Sequence, residues 1–492
     1  MSWSPQESHD FSTQRRLTTR RAFLSRASLG LGSLALAAMV PQPRPPALPS
    51  SGSDDFRGSL QPAPTVVHAP RSGVRAKRVI WLYMAGGMSH LEGWDPKPIL
   101  TRRHGEPMPE SITKGQQIAQ LQGATLTCMA PQFPFRKCGH SGLEVSTMFP
   151  RLGAIADDLC VVRSMHTDAI NHDPAHTLMN TGSMLPGRPS VGSWLLYGLG
   201  SDNQNLPGFV VMVSTGNYGQ KQPISSRLWH SGFLPSRHQG VEFRSQGEPV
   251  LYVQNPKGVS TDQQQAVVQA INRLNLLAPD AIDDPEVATR IAQYEMAFRM
   301  QSSVPELMDL SNEPKHIFDL YGTRGGDGSF AANCLLARRL AESGTRFIQL
   351  YHRDWDHHAE VKSNFAGTAA EVDRGAAALL ADLKQRGLLD ETLVVFGTEF
   401  GRTPMAQGKG RDHHLAGFSM WLAGGGVKGG TAYGATDDLG YKAVENPTHI
   451  NDIHATVLHL LGIDHLRLTY RVQGRDFRLT DVGGQVLTSL LA

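Results

Sequence analysis

The segment RVIWLYM (residues 78–84) is apolar at almost every position and has the length of a β-strand. A strand that is apolar on both faces is typical of a parallel sheet whose two faces are covered by helices. Further apolar runs of strand length follow at 159–163, 208–213, 346–351, 393–396 and 418–422, and helical patterns lie at 263–277, 284–301, 329–343, 366–387 and 450–462. We therefore predict an α/β fold with a mostly parallel central sheet flanked by helices.

The overall composition excludes some classes of partner. In this chain of 492 residues, the 47 lysines and arginines nearly balance the 45 aspartates and glutamates. No global field therefore favours nucleic acid or an anionic membrane surface as a partner. The four cysteines form no CxxC pair, so zinc-knuckle and thioredoxin chemistry have no support. One disulfide, between Cys128 and Cys138, is open to the chain in an oxidising compartment.

The first residues are typical of an export signal. Residues 19–25, TRRAFLS, resemble a twin-arginine motif, and the weakly apolar run 27–40 that follows is shorter than the ~20 residues that span a bilayer. We predict a signal segment at 1–40, a disordered linker at 41–76 and one domain at 77–492, in which 214–262 is an insertion or lid. The predicted location is periplasmic or secreted, with no membrane span beyond an uncleaved signal segment.

Polar clusters rich in histidine lie next to the predicted strands. Ligands of parallel sheets bind beyond the carboxyl ends of the strands, so these clusters are expected to meet at one edge. They lie at 85–95, 164–176, 351–360, 397–404 and 410–414. Their convergence would form one functional site from segments that are far apart in sequence.

Histidine together with aspartate or glutamate is the ligand set of zinc and related divalent metals. Asp354 and His358 are four residues apart, as are His172 and His176, so each pair would share a face if it begins a helix. Two alternatives stay open: an aspartate caps the following helix, or one histidine of each doublet only forms local hydrogen bonds. The candidate ligands of zinc, calcium or manganese are Asp354, Asp356, His358, Glu399, His413 and His414.

Six motifs occur in an order that resembles a known family. They are RVIWLYMAGGMSHLEGWDPKP, HDPAHTLMNTG, DWDHH, TEFGRTP, GRDHH and DIHATVLHLLGIDHLRLTYRVQGRDFRLTDV. From about residue 70 onward the chain resembles the bacterial family called domain of unknown function 1501, which is placed in the alkaline phosphatase and sulfatase superfamily. The resemblance implies an alkaline phosphatase-like fold and metal-assisted hydrolysis of a phosphate or sulfate ester, with a small molecule or a polysaccharide as substrate.

The resemblance also implies a set of metal ligands. Asp354, His358 and either His413 or His414 match the ligands of one metal in the superfamily. The second metal has weaker support, because Gly86 stands where an aspartate is usual. Glu399 and Phe400 stand where an aspartate–histidine pair is usual, so only Glu399 could coordinate there.

The usual nucleophile is missing from the matching positions. His172, preceded by Asn171, stands where phosphatases have serine or threonine, and the chain has no Cys/Ser-x-Pro-x-Arg run of the kind that sulfatases oxidise. Two routes remain open. One is a phosphohistidine at His172. The other is direct attack by water activated on a metal, with His172 or His176 as the base.

Two arginines are candidates for holding an anionic ester oxygen. Arg402 and Arg411 carry the forked donors that suit this role, but either could instead brace the loops by pairing with Glu399 and Asp412. The sequence thus supports three hypotheses: a metal-dependent ester hydrolase, a non-catalytic scaffold or binding protein of the cell envelope, and a different metal hydrolase rebuilt around His172, His176 and Glu399.

Overall fold

The computed structural model describes residues 76–251, 255, 258–277 and 285–492. The predicted signal segment 1–40 and the linker up to residue 75 lie outside the described residues. None of the helices described combines the length and the hydropathy needed to cross a bilayer.

The described elements alternate between strands and helices along the chain. The strands are β1 Arg78–Ala85, β2 Phe135–Cys138, β3 Leu143–Ser146, β4 Leu159–His166, β5 Phe209–Thr215, β6 Val241–Phe243, β7 Phe347–Arg353, β8 Thr392–Gly397, β9 Gly401–Gln407, β10 Gly410–His414, β11 Phe418–Ala423, β12 Thr431–Tyr433, β13 Ala435–Thr436, β14 Ala443–Glu445, β15 Thr448–His449, β16 Tyr470–Val472 and β17 Arg475–Phe477. The helices are α1 His90–Gly93, α2 Pro98–Arg102, α3 Glu110–Thr113, α4 Pro150–Ala154, α5 His172–Thr181, α6 Val191–Leu199, α7 Thr261–Leu277, α8 Pro285–Met308, α9 Lys315–Tyr321, α10 Phe330–Glu342, α11 Val361–Gln385 and α12 Ile450–Leu460.

The central sheet is mixed but mostly parallel. Its order is β12-β4-β11-β8-β1-β7-β5-β6, and β15 also pairs with β4. β1, β5, β6, β7 and β8 pair in parallel with one another, whereas β11 runs antiparallel to both of its neighbours, β4 and β8. The predicted α/β class with a mostly parallel sheet is confirmed, and the single reversed strand is the feature that the apolar pattern alone did not indicate.

Both faces of the sheet are buried, as the apolar first strand predicts. Ile80 and Leu82 pack on the face covered by α10 and α11, and Val79 and Trp81 pack on the face covered by α6 and α12. These side chains are at most 1 % exposed, so each contributes about 1.5–3 kcal/mol of hydrophobic stabilisation. A sheet shielded on both faces leaves its edges as the places where polar side chains collect.

The cysteines differ from the expectation of a disulfide, because all four are free and buried. Cys128 lies in a small apolar cluster with Met108 and Met405, whereas Cys138 belongs to the main core. Cys128 Sγ lies 3.5 Å from Met108 Sδ, and Cys138 Sγ lies 3.6 Å from the Arg136 carbonyl oxygen. Because the two thiols lie in different clusters, the fold keeps them apart.

Candidate metal centre

The carboxyl ends of β1, β4, β7 and β8 meet at one edge of the sheet. β4 and β8 both run antiparallel to β11, so they are parallel to each other and to β1 and β7. The reversed β11 begins at the same edge, and the hairpin of β9 and β10 that precedes it lies there too. The geometry thus brings together the loops after four strands and a hairpin before a fifth.

Gly86, directly after β1, allows two of these loops to touch. Its φ is 129°, and a methyl group on it would lie 2.5 Å from the backbone nitrogen of Asp356. Only glycine combines that backbone conformation with such a close approach. The Gly86 amide donates to Glu399 Oε1 at 2.9 Å, so a backbone N–H occupies the place where a superfamily metal ligand was expected.

Helix α5 begins at His172, which places His172 and His176 on one helical face beside Glu399. His172 Nδ1 lies 2.8 Å from Glu399 Oε1, and His176 Nε2 lies 3.7 Å from the same oxygen. His176 Nδ1 lies 2.8 Å from the hydroxyl of Tyr83, which projects from β1. Glu399 therefore sits between two imidazoles.

Three imidazoles at this edge share one hydrogen-bonding arrangement. In each ring Nδ1 faces an oxygen acceptor, which fixes the proton on Nδ1 and leaves a lone pair on Nε2 when the ring is neutral. The pairs are His172 Nδ1 with Glu399 Oε1 at 2.8 Å, His358 Nδ1 with Gln407 Oε1 at 2.5 Å, and His413 Nδ1 with the Ile170 carbonyl at 2.9 Å.

The three Nε2 atoms converge on the carboxylate of Asp356. They lie 3.4 Å (His172), 3.0 Å (His358) and 3.5 Å (His413) from its oxygens, and the last two are 2.9 Å from each other. Ligand atoms at ~2.0–2.1 Å from a tetrahedral zinc ion are ~3.3–3.4 Å apart, so His172, Asp356 and His413 are close enough together that they could hold a metal ion. We call His172, Asp356, His358 and His413 the Asp356 centre.

The electrostatics keep Asp356 and His413 in the protonation states that a metal needs. Burial raises the pKa of the Asp356 carboxyl, but its contacts with His172, His358 and His413 and the charge of Arg402 bring it well below its usual range. Burial, reinforced by Arg402, lowers the pKa of His413 to about 4. At neutral pH the centre therefore offers an ionised carboxylate and, at His413, a neutral imidazole.

Glu399 contacts Nδ1 of His172, whose other ring nitrogen, Nε2, faces Asp356. Burial raises the pKa of its carboxyl, yet the charge of His176 and the hydrogen bond from His172 lower it to about 2. Burial lowers the pKa of His172, but its bonds to Asp356 and Glu399 outweigh this and raise it. Burial lowers the pKa of His176, whose Nε2 is buried without a hydrogen-bond partner.

Neither Asp354 nor His414 takes part in the Asp356 centre. Asp354 Oδ2 instead accepts a hydrogen bond from the backbone N–H of Tyr218, and His414 Nε2 donates to the carbonyl of Tyr441. Helix α11 begins only at Val361, so the four-residue spacing of Asp354 and His358 has no helical meaning. Because neighbouring residues of a strand point to opposite sides, only one member of the His413–His414 doublet in β10 faces the centre.

Arg402 is used as a brace, and its carboxylate partner differs from the expected one. It is 1 % exposed and pairs with Asp356 Oδ1 at 2.5 Å instead of with Glu399. Its Nε donates to the Gly87 carbonyl, and its two terminal nitrogens reach the carbonyls of Gly86 and Arg411. With a further contact to His358 Nε2 at 3.5 Å, all five N–H groups have partners.

Arg411 is also a buried brace. It pairs with Glu92 at 2.8 Å, and both side chains are fully buried. The expected partner, Asp412, instead accepts from the backbone N–H groups of Gln120 and Leu121. Neither arginine therefore has a free donor that faces the Asp356 centre.

Three supporting residues escaped prediction because no sequence pattern marks them. Gln407 orients His358 from the neighbouring hairpin strand, and Tyr83 reaches His176 from β1. Gln222 Nε2 donates to Asp356 Oδ2 at 2.7 Å, and the backbone of Gln220 forms a β-bridge with Asp356. Gln220 and Gln222 belong to the region 214–262, so part of that region contacts the Asp356 centre.

Comparison with known proteins identifies the family. A family model described as protein of unknown function, DUF1501, matches residues 76–491. No curated protein matches the chain.

Solved structures resemble the chain only distantly. A phosphonate monoester hydrolase from Silicibacter pomeroyi has a TM-score of 0.30 and 14 % identity, covering 68 % of this chain and 72 % of its own. The PsFucS1 sulfatase from Pseudoalteromonas sp. has a TM-score of 0.35 and 13 % identity, covering 85 % and 72 %. A protein in the alkaline phosphatase superfamily from Vibrio parahaemolyticus has a TM-score of 0.32 and 11 % identity, covering 82 % and 71 %. At these scores, no residue role follows from the similarity.

Proposed function

The chain belongs to the DUF1501 family, and we propose that it is an exported, metal-dependent hydrolase of sulfate or phosphate esters. The observation that carries this proposal is the convergence of three imidazole Nε2 atoms on the Asp356 carboxylate, within 3.0–3.5 Å of its oxygens. A structural salt bridge would need one imidazole at most, whereas three lone pairs aimed at one carboxylate are arranged for a cation.

The donor set selects among the candidate metals. Three nitrogen ligands and one carboxylate suit zinc or manganese, whereas calcium prefers ligand sets made of oxygen alone. A metal bound there would polarise an ester oxygen and lower the pKa of a coordinated water to ~7. This chemistry supports direct attack by water more than a phosphohistidine, because His172 Nε2 is oriented as a ligand.

The remaining residues would position the ligands. Glu399 holds the proton of His172 on Nδ1 and so keeps Nε2 free for the metal. His176 is 1 % exposed and held by Tyr83, which favours a positioning role over that of a general base. Arg402 fixes Asp356 and the loop after β1 together.

The anionic ester group needs a cation other than Arg402 and Arg411. Arg227 is a candidate, since its side chain is 41 % exposed and pairs with Asp173, the residue next to His172. Asp173 is itself 71 % exposed, so a substrate anion could replace this carboxylate at little cost. The substrate would be a small molecule or a polysaccharide that carries the ester.

The test is hydrolysis by full-length protein purified from an exporting host. p-Nitrophenyl sulfate, p-nitrophenyl phosphate and sulfated polysaccharides are assayed after chelation and after reloading with zinc or manganese. We expect activity that requires metal, is lost in His413→Ala and is kept in His414→Ala. Metal-loaded protein that cleaves none of these esters would contradict the proposal.

The second candidate is a non-catalytic scaffold or binding protein of the envelope. It is favoured by the finding that four of the five N–H groups of Arg402 are bonded to protein oxygens, so that a bound metal would free only the one beside His358 Nε2 for a transition state. Under this candidate the metal would bind and no ester would be cleaved, so the same assay separates the two.

A further inference from the structure

Exposed apolar side chains are grouped on neighbouring loops of the described chain. Met184 and Leu185, in the loop between α5 and α6, are 44 % and 66 % exposed. Val482, in the turn after β17, is 87 % exposed, more than any other large apolar side chain of the described residues. Leu466, in the turn after α12, is 55 % exposed. Single exposed apolar residues are normal on a protein surface, but a group of them indicates a surface that contacts something else.

Three contacts hold these loops side by side. They join Gly182 to the Leu479 carbonyl oxygen, Arg188 to Asp481 at 3.4 Å, and His465 Nδ1 to Thr480 Oγ1 at 3.0 Å. Each exposed apolar residue lies within three residues of one of these contacts along the chain. Met184, Leu185, Leu466 and Val482 therefore belong to one surface.

Arginines are in excess on the same surface. Five arginines and three aspartates lie beside the apolar residues: Arg188, Arg467, Arg471, Arg475 and Arg478, with Asp464, Asp476 and Asp481. The side chains of Arg471 and Arg475 are 69 % and 56 % exposed. Arg188 and Arg475 also lie over the ring of Phe477, at 4.8 Å and 4.7 Å from its centroid. Although the whole chain is nearly neutral, this surface is locally basic, and we call it the arginine patch.

The mixture of apolar and basic side chains favours a lipid surface over a second copy of the chain. A stable contact between two proteins has a packed apolar core from which charged side chains are largely excluded. In the arginine patch, Arg467 directly follows Leu466, and Arg188 lies three residues after Leu185, so no core free of charge exists. At a membrane interface, apolar side chains enter the boundary of the acyl chains while arginines beside them meet the headgroup phosphates.

We propose that the arginine patch binds the surface of a membrane that contains anionic phospholipids. Leu185 and Val482 would insert among the headgroups, and the arginines would pair with the phosphates. The protein would thus lie on the membrane without spanning it. This inference goes beyond the proposed hydrolase activity and does not depend on it.

The test is co-sedimentation of full-length protein with vesicles of phosphatidylcholine, with or without about 30 % phosphatidylglycerol. We expect binding to the anionic vesicles that weakens steeply when salt is raised from about 0.05 M to about 0.5 M. Leu185→Ser combined with Val482→Ser should weaken binding about tenfold or more, because the inserted apolar area is lost. Arg467→Gln combined with Arg471→Gln should weaken it about fivefold or more and reduce its dependence on salt.

Matched variants elsewhere on the chain locate the effect. Val444→Ser changes a valine of β14 that is 59 % exposed, and Lys315→Gln combined with Lys409→Gln removes two exposed cations. Each should leave binding within about twofold of wild type. The predicted signal segment is the same in every variant, so it does not affect these comparisons.

Three results would overturn the inference. The first is a wild type that binds neutral and anionic vesicles equally well or binds neither. The second is a serine double variant that binds anionic vesicles like wild type. The third is a wild type that dimerises in light scattering through this surface, with the dimer lost in the serine double variant and no binding to vesicles.

Discussion

The change Glu399→Gln tests whether Glu399 orients His172 as a ligand of a metal in the Asp356 centre. Glu399 accepts from His172 Nδ1 at 2.8 Å, from the Gly86 amide at 2.9 Å and from Thr398 Oγ1 at 3.0 Å. His172 Nδ1 and the Gly86 amide only donate, whereas the Thr398 hydroxyl can also accept, so the NH₂ group of a glutamine would take the Oε2 position beside Thr398. The variant keeps the shape of the side chain while it loses the charge that holds the His172 proton on Nδ1.

The expected effect falls on metal affinity. Removing a partner that orients a metal-binding histidine typically weakens binding 10–100-fold, which corresponds to about 1.4–2.7 kcal/mol. Competition against a chromophoric zinc chelator measures this loss directly. Glu391→Gln, an exposed glutamate that pairs with Lys77, is the matched control and should change the affinity by less than twofold. Zinc affinity in Glu399→Gln equal to that of wild type would refute the reasoning.

Three further outcomes follow from buried groups of the described chain. Burial lowers the pKa of His454 from 6.5 to about 4, so below pH 6.5 the unfolded chain takes up a proton that the folded chain refuses. The free energy of unfolding should fall by about 2 kcal/mol between pH 7 and pH 5 from this residue, and urea titrations of His454→Gln should lack that part of the slope. Arg402→Met leaves the buried carboxylate of Asp356 without its cation and should cost about 3–5 kcal/mol in chemical denaturation of the metal-free protein, whereas a loss below 1 kcal/mol would show that the brace is dispensable. Thiol titration under denaturing, non-reducing conditions should count four free cysteines, and a count of two would restore the disulfide.

The sequence predicts the strands and helices of the fold well, because buried segments carry local runs or periodic patterns of apolar residues. The apolar runs become β1, β4, β5, β7, β8 and β11, and all five predicted helices occur with ends shifted by a few residues. No local pattern of residues marks the direction of a strand in the sheet. β11 is apolar like its neighbours β4 and β8, which are parallel to each other, and yet it runs antiparallel to both. The preceding hairpin of β9 and β10 reverses the direction of the chain.

The candidate site was predictable by region more than by residue. Ligands bind beyond the carboxyl ends of parallel strands, and this rule brings together the clusters around His172, His358 and His413. It does not say which member of a histidine doublet points towards the site. Asp356 takes the ligand position that spacing assigned to Asp354, because the two lie in a loop where helical periodicity does not apply. The partners that set the tautomers, such as Gln407 and the Ile170 carbonyl, come from distant segments and depend on the assembled fold.

Metal content tests the central claim most directly. Full-length protein from an exporting host is assayed by elemental mass spectrometry beside His413→Ala and the matched variant His414→Ala. We predict close to one zinc or manganese per chain in wild type and in His414→Ala, and a loss of most of it in His413→Ala. A folded wild type that carries neither metal and refuses both when they are added would contradict the assignment of the Asp356 centre.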